Sequence, residues 1–410
     1  MPTPASSSPL SAPLPPGTPR QRQWLLALSL LLIACNLRPV FGSLSVVLPE
    51  IMRDTGLSAA GASLLTTLPI LCLGLFSAPT PWLSRRFGAE RVLLLALLLI
   101  CTGTLLRATA SLPGLFASSV LAGAGIAMGN VLLPSLVKRH FARQAAMMTG
   151  MYVLAICIGA SVATASTVPL ATRYFAGSWA WALAVWALPA LLVLLLWLPQ
   201  ALRMRSEPMD PAAQAGSLWR DALAWQVTAF MGLQSSLAYI VIGWLAPILR
   251  ERGLDSALAG YVVAISTLAQ LLTSLLVPSI AARCRDQRAL AMGLAALGFA
   301  ALMGLILAPL TTVWLWAVLL GCAQGGLFAL ALSLIAMRSG NAQITAQLSA
   351  MAQGWGYILA AGGPLLTGLL HQWTGSFASS LWLMLLLSAA LAWSGWGAGR
   401  NRLVRPAIRA

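Results

Sequence analysis

Twelve long apolar runs occupy most of this 410-residue chain. Each approaches or exceeds the roughly 20 apolar residues that a membrane-spanning helix needs. With 59% hydrophobic and 8% charged residues, the composition excludes a soluble domain. The sequence therefore predicts an integral membrane protein, with spans at residues 24–49, 58–83, 92–109, 113–138, 145–171, 178–199, 222–248, 256–281, 288–309, 312–337, 343–370 and 376–398.

The runs are predicted to be helices. Residues 93–100 and 191–197 are apolar at every position. Strands of an outer-membrane barrel would alternate between apolar and polar residues instead. We therefore expect an all-α membrane protein.

The basic residues indicate an orientation. If both termini are cytoplasmic, 19 of the 25 lysines and arginines fall in cytoplasmic segments, as the positive-inside rule requires. Arg38 lies within a span, and the five residues expected to face outward are Arg53, Arg107, Arg173, Arg250 and Arg252. The net charge of +16 is thereby explained by topology. Nucleic acid is not expected as a partner, because the charges are dispersed without interleaved aromatic residues.

An internal repeat divides the chain into two halves. The segment 51–58 (IMRDTGLS) recurs 197 positions later as 248–255 (ILRERGLD), and the same offset places Pro81 on Pro278. Two six-helix halves with the same orientation match the parallel repeat of major facilitator transporters. The expected fold is a major facilitator fold of 12 transmembrane helices in two six-helix pseudo-repeats. Its segments are a disordered cytoplasmic tail 1–23, halves 24–202 and 222–399, a linker 203–221 and a basic tail 400–410.

The loop after the second span resembles the signature that major facilitator proteins carry there. The residues at the signature positions of this loop are Arg85, Arg86, Gly88 and Arg91. Pro81 stands where the signature has glycine and Arg85 where it has aspartate, so the charge-relay latch expected there is altered. The second half supplies Arg283 and Arg288 at the repeat offset. These residues are predicted either to act in conformational switching or to be an ordinary basic cytoplasmic loop.

Several motifs are spread along nearly the whole chain, at 36–39 (NLRP), 64–69 (LLTTLP), 125–134 (GIAMGNVLLP), 223–228 (LAWQVT), 243–245 (GWL), 351–353 (MAQ) and 356–364 (GYILAAGGP). Together they resemble the cyanate and 2-nitroimidazole transporter family, with the nitroimidazole branch nearest. The resemblance implies a secondary transporter and leaves uptake and export open. A departure is Ala246 before Pro247, where the family has proline directly after Trp-Leu.

Arg38 is the leading candidate for substrate binding. A cation near the middle of a span costs about 2.5–3.5 kcal/mol on insertion scales, so it normally has a function there. Pro39 lacks a backbone N–H and therefore frees the carbonyl of Cys35. Asn36 can face the same ligand only if Pro39 distorts the helix. A charge beside a broken helix predicts an anion or polar-solute site.

Other polar residues within the spans are candidates for lining this site. For Tyr152 the alternative role is anchoring at the membrane–water interface, and for the others it is helix packing. The repeat places the seventh span opposite Arg38 across a central cavity. The candidates are Asn130, Tyr152, Gln234, Tyr239, Gln270 and Gln353.

All nine acidic residues lie in loops or at helix ends. The lack of an intramembrane carboxylate argues against transport of organic cations. A proton can still enter with an anion neutralised by Arg38, or bind Glu50 at the outer mouth. A membrane enzyme is not expected, because the chain has no paired carboxylates or histidine cluster in its spans.

We therefore expect an inner-membrane carrier in which residues 24–199 and 222–398 rock about a midplane site. The expected substrate is a small polar or anionic solute, with export of a 2-nitroimidazole-like heterocycle preferred and uptake of cyanate or a similar anion as the alternative. A non-transporting sensor is the alternative from another class. We expect a monomer in the lipid bilayer, without cofactor, metal or catalytic residues.

Overall fold

A computed structural model describes residues 19–141, 145–203, 218–340 and 342–404. The predicted tail 1–23 lies outside these residues up to position 18, and so do 204–217 of the predicted linker and 405–410 of the basic tail. The described residues form helices joined by short loops and contain no β-strand, as expected for an all-α membrane protein.

In the described part of the chain, ten α-helices form the first half and six form the second. The first half contains α1 (Pro19–Cys35), α2 (Pro39–Val46), α3 (Leu48–Thr55), α4 (Ala59–Ser77), α5 (Thr80–Phe87), α6 (Ala89–Leu106), α7 (Leu112–His140), α8 (Ala145–Arg173), α9 (Trp179–Ala184) and α10 (Ala187–Arg203). The second half contains α11 (Ala222–Glu251), α12 (Ser256–Arg283), α13 (Arg288–Leu307), α14 (Val313–Met337), α15 (Ala342–Thr374) and α16 (Ser380–Ala398).

Eleven segments of the described chain are long and apolar enough to cross a membrane. The first segment contains most of α1 and all of α2, and the sixth contains all of α9 and most of α10. The 33-residue helix α15 is long enough to be the twelfth span, but its glutamines and glycines lower its hydropathy. With α15 the helices agree with the twelve predicted spans.

The internal repeat is visible in backbone geometry as well as in sequence. Gly56 and Gly253, which are 197 positions apart, both end a helical segment with positive φ, at 67° and 94°. Glycine adopts this left-handed conformation without steric cost. Two residues later, the side chains of Ser58 and Asp255 both accept hydrogen bonds from backbone N–H groups of the helix that follows. The two halves therefore reverse direction in the same way.

The halves differ where the repeat pairs Pro81 with Pro278. Pro81 lies in the first turn of the separate short helix α5, where its missing N–H costs little. Pro278 lies inside the continuous helix α12. The second predicted span is therefore shorter than 58–83, because α4 ends at Ser77 and α5 begins at Thr80.

The halves contact each other most extensively along α4 with α15 and α8 with α12, and also where α2 meets α11. Small residues allow this close approach. A Cβ at Gly74 of α4 would lie 3.0 Å from the carbonyl oxygen of Gly354, and one at Gly260 of α12 would lie 2.9 Å from that of Thr164. We name the two ends of the bundle the Glu50 end and the Arg86 end, after the residues located there.

The side chain of Arg107, which the charge pattern assigns to the outer side of the membrane, does not extend into solvent. Its side chain is 1% exposed and donates hydrogen bonds to α2 and α7. The side of the membrane on which Arg107 lies stays a prediction. Its burial shows that an arginine at the end of a span can turn inward when neighbouring helices supply acceptors.

Candidate functional site

The helix of the first span is broken directly before Arg38. The N–H groups of Asn36 and Leu37 donate to Ile33 and Ala34 in tight turns, which end α1. A new helix, α2, begins at Pro39, where proline is favoured because no intrahelical donor is lost. Arg38 is the N-cap residue of α2, and no side chain caps that helix. The predicted distortion at Pro39 is present as a complete break.

The half-buried guanidinium of Arg38 reaches across to the second half. Its Nη1 donates a hydrogen bond of 3.2 Å to the hydroxyl of Tyr239 on α11. It also lies 5.6 Å from the ring centre of Tyr239 and 5.9 Å from that of Phe41, within range of cation–π attraction. Within the described residues, no carboxylate forms an ion pair with it. The positive charge remains available to a solute.

Aromatic rings surround this charge. Tyr239 packs against Phe41 with ring centres 5.7 Å apart, and edge-on against Tyr357 of α15 at 6.4 Å. The phenols of Tyr152 and Tyr357 lie within electrostatic range of Arg38. The structure thus brings the candidates Tyr152 and Tyr239 to Arg38. It adds Phe41 and Tyr357, which we did not predict as site residues. Of the two, only Tyr357 lies in a segment that the sequence analysis singled out, the motif 356–364.

A small cavity lies between the halves on the Glu50 side of Arg38. Its volume is about 10 Å³, room for roughly one water molecule. It is bounded by α2, α4 and α11, and its lining residues are Val40, Phe41, Leu44, Thr66, Pro69, Ile70, Tyr239, Ile242 and Gly243. The helices therefore leave too little space there for a solute to pass.

Ionic and polar contacts between the halves lie beyond this cavity, at the Glu50 end. Arg250 of α11 donates to Glu50 of α3 at 2.9 Å, and the backbone N–H of Ala60 donates to the side chain of Gln372. Toward the Arg86 end, α7 and α14 form no extended contact within the described residues, and neither do α1 and α11. This conformation is closed at the Glu50 end.

Three candidate side chains are arranged differently from Arg38. Asn36 is buried, and its amide donates to the carbonyl of Leu32 in its own helix. Gln234 is also buried, and its amide donates to Met231 and Ser235 of α11. Asn130 is half-buried and makes no hydrogen bond within the described residues. The structure therefore leaves only Asn130 of these three with an unused amide.

The glutamines of the second half lie in polar contacts. Gln353 donates to the hydroxyl of Ser349, one turn earlier on α15. Gln270 approaches Gln324 of α14 at 3.5 Å, and Gly325 packs so closely there that a Cβ would lie 2.1 Å from the carbonyl oxygen of Gln270. The structure places Gln270 at a tight helix contact rather than beside Arg38.

The predicted loop motif shows no ionic latch between the halves within the described residues. Arg86 lies over the rings of Trp82 and Phe87, and Arg288 lies over Trp396 with its ion pair to Asp286. Gly88 has φ of 90° and donates its N–H to Ser84, which ends α5. Arg91 and Arg283 are exposed, and the side chain of Arg85 lies outside the described part of the chain.

Comparison with known proteins agrees with this architecture. The profile of the Major Facilitator Superfamily matches residues 25–245. A D-xylose-proton symporter of known structure has a TM-score of 0.71 and 17% identity, with 92% of this chain and 97% of that chain covered. At this identity the similarity shows the fold alone.

Curated relatives match over nearly their whole length. The "Uncharacterized transporter YycB" of Bacillus subtilis (strain 168) is 38% identical over 96% of this chain and 97% of its own. The 2-nitroimidazole transporter of Escherichia coli (strain K12) is 38% identical over 93% and 97%. The cyanate transport protein CynX of the same organism is 31% identical over 86% and 91%.

These relatives are transporters rather than enzymes, as the lack of catalytic constellations in the sequence predicted. The higher identity to the 2-nitroimidazole protein than to the cyanate protein agrees with the predicted branch. The chain therefore belongs to the Major Facilitator Superfamily, within its cyanate and 2-nitroimidazole transporter family, and is a multi-pass membrane transporter of small solutes.

Proposed function

We propose that this protein is a secondary active carrier that exports small planar heterocycles of the 2-nitroimidazole type across the bacterial inner membrane. Both termini lie in the cytoplasm in this proposal, so the Arg86 end faces inward. The observation that carries the proposal is the Arg38–Tyr239 contact, because it joins a charge of one half to a hydroxyl of the other.

The chemistry of the site suits a ring that carries oxygen acceptors. A guanidinium presents N–H donors in a planar fork that matches two oxygens of one group, such as a nitro or carboxylate group. The rings of Phe41, Tyr239 and Tyr357 offer faces and edges against which a planar solute can stack. Closure at the Glu50 end is consistent with loading from the Arg86 end.

Uptake of cyanate or a similar small anion is the second candidate. Arg38 has no carboxylate partner within the described residues, so its charge can attract an anion of any shape. The similarity to the cyanate transport protein supports this reading. The aromatic rings favour the heterocycle, because a linear anion of three atoms would use little of their surface.

Accumulation of labelled 2-nitroimidazole in cells with and without the protein tests the proposal. We expect cells that express the protein to accumulate less, by about threefold or more, and a variant without Arg38 to restore the higher level. An unchanged level, together with protein-dependent uptake of labelled cyanate, would contradict export of the heterocycle and favour the second candidate.

Coupling to protons is part of the same proposal. Among the described residues, the Glu50 carboxylate joins the halves through its ion pair with Arg250, and it is the group that this proposal assigns to coupling. Dissipating the pH gradient in proteoliposomes should then reduce concentrative transport to equilibration. Transport that is insensitive to the gradient would exclude proton coupling and favour exchange or facilitated diffusion.

Breaking the Glu50–Arg250 pair is expected to favour opening at the Glu50 end. Both side chains are 25% exposed, so the pair is worth on the order of 0.2–1 kcal/mol. Glu50→Gln should therefore raise the open population by a factor of about 1.4 to 5. The measurement is labelling of a cysteine placed at Thr66, which lines the cavity, by a membrane-impermeant thiol reagent added outside intact cells.

Asp54→Asn is the matched control, because Asp54 pairs with Arg53 and Trp179 inside the first half. It removes the same charge from the same end and should leave labelling unchanged. Combining Glu50→Arg with Arg250→Glu should return labelling toward the original rate. Equal labelling in the Glu50→Gln and Asp54→Asn variants would show that the pair does not hold this end closed.

A further inference from the structure

Arg107 is a charged side chain that the proposed transport route does not use. It belongs to the short 3-10 turn Arg107–Thr109 at the end of α6 and is 1% exposed. No carboxylate forms an ion pair with it in the part of the chain that the structure describes. Burying an arginine without a counter-ion costs free energy, and the three hydrogen bonds that Arg107 donates offset part of this cost.

These hydrogen bonds join α2 to α7. The Nε donates to the hydroxyl of Ser118 on α7 at 2.9 Å. The Nη2 donates to the carbonyl oxygen of Val40 at 3.1 Å, and Nη1 donates to the hydroxyl of Ser43 at 3.4 Å, both on α2. One planar guanidinium therefore connects the second helix of the broken span to the body of the first half.

The helix α2 is the element that holds the binding residues. Arg38 is its N-cap, and Phe41 and Leu44 line the cavity. The hydroxyl of Ser43, which accepts from Arg107, itself donates to the carbonyl of Pro39 at 2.6 Å in the first turn. Because no side chain caps α2, the break depends on contacts from outside the helix.

We propose that Arg107 is a positioning residue of the substrate site: it anchors α2 to α7 so that the guanidinium of Arg38 faces Tyr239. Its effect on substrate rests on the proposed function, whereas its effect on the geometry of the break does not. Arginine suits this position because its fork supplies donors in several directions, which neither glutamine nor lysine reproduces.

The thiol of Cys35 reports on the break directly. Cys35 is the last residue of α1 and is half-buried, as is Cys322 of α14 in the other half. We expect Arg107→Gln to raise the rate of Cys35 modification by N-ethylmaleimide about threefold or more, because the break opens locally. Peptide mass spectrometry measures both thiols in the same purified sample, and the rate at Cys322 should stay constant.

Substrate binding gives a second, independent measurement. We expect Arg107→Gln to weaken binding of 2-nitroimidazole about tenfold, since a buried hydrogen-bond set is lost. In a Tyr239→Phe background the same change should weaken binding by less than about twofold, because the contact that Arg107 aligns is already absent. Equal weakening in both backgrounds would show that Arg107 supports the fold without aligning Arg38.

The two measurements separate the possible failures. If the unmodified protein does not bind 2-nitroimidazole, the proposed substrate is wrong. The rate of Cys35 modification still tests the role of Arg107 in that case. A folded Arg107→Gln variant with an unchanged Cys35 rate would overturn the proposal. If Arg107→Gln does not fold, Ser43→Ala removes one acceptor of the network, and it should raise the Cys35 rate in the same direction by a smaller factor; no change there would equally overturn it.

Discussion

Replacing Arg38 with alanine is expected to leave the protein inserted and folded but to reduce transport of its substrate about 100-fold, the effect of removing one partner of a half-buried charged contact. The change should even ease insertion, since a cation within a span costs about 2.5–3.5 kcal/mol. Initial rates of transport in proteoliposomes measure the effect, and thermal unfolding of the purified protein checks that the fold is retained.

The nature of the loss can be read from graded substitutions. Arg38→Lys retains the charge without the planar fork, so we expect an intermediate loss of about tenfold. Arg53→Ala is the matched control, because the side chain of Arg53 is 76% exposed at the Glu50 end. If Arg38→Ala transported the substrate at the normal rate, Arg38 would not be a binding residue.

Replacing Gly159 with alanine is expected to have the second largest effect. A Cβ there would lie 1.9 Å from the carbonyl oxygen of Cys35, so α8 and the end of α1 must move apart. Overpacking of this kind costs about 1–3 kcal/mol, and we expect the Tm to fall by roughly 5 °C. Transport should fall as well, because the displaced backbone leads directly into Arg38.

Gly293→Ala provides the comparison. Gly293 lies in α13, is exposed, and has no atom within 4 Å of an added Cβ. Alanine is the better helix former, so the Tm should stay constant or rise slightly. If Gly159→Ala were equally well tolerated, the close approach of α1 and α8 would not be required for stability.

The architecture was largely predictable, because its signals are repeated along the chain. Twelve apolar runs and one offset of 197 residues are each supported by many positions. The left-handed glycines Gly56 and Gly253 follow from the same repeat. The break near Pro39 was predictable in kind, since proline cannot continue the hydrogen-bond ladder of α1.

The site was predictable only in part. Arg38 is conspicuous as a charge in an apolar run, and the repeat directs attention to Tyr239. No comparable sequence feature marks Tyr357 as a binding residue, because an aromatic residue in a span usually packs against neighbouring helices. The burial of Arg107 was not predicted, since its partners Ser43 and Ser118 are distant in sequence. Whether the amide of Gln234 faces the site or bonds to its own helix depends on its side-chain rotamer, and sequence periodicity does not specify a rotamer.

The ion pair between Glu50 and Arg250 has a consequence for the kinetics of the two membrane faces. A conformation stabilised by contacts at one end is the more populated one at rest, and a solute arriving at the closed face must wait for the rarer conformation. Its apparent dissociation constant there is the intrinsic value divided by the fraction of molecules that are open to it. Each kilocalorie per mole that the closed end gains makes the two half-saturation concentrations differ about fivefold. The same binding residues would thus give a carrier that saturates at lower concentration from one face than from the other.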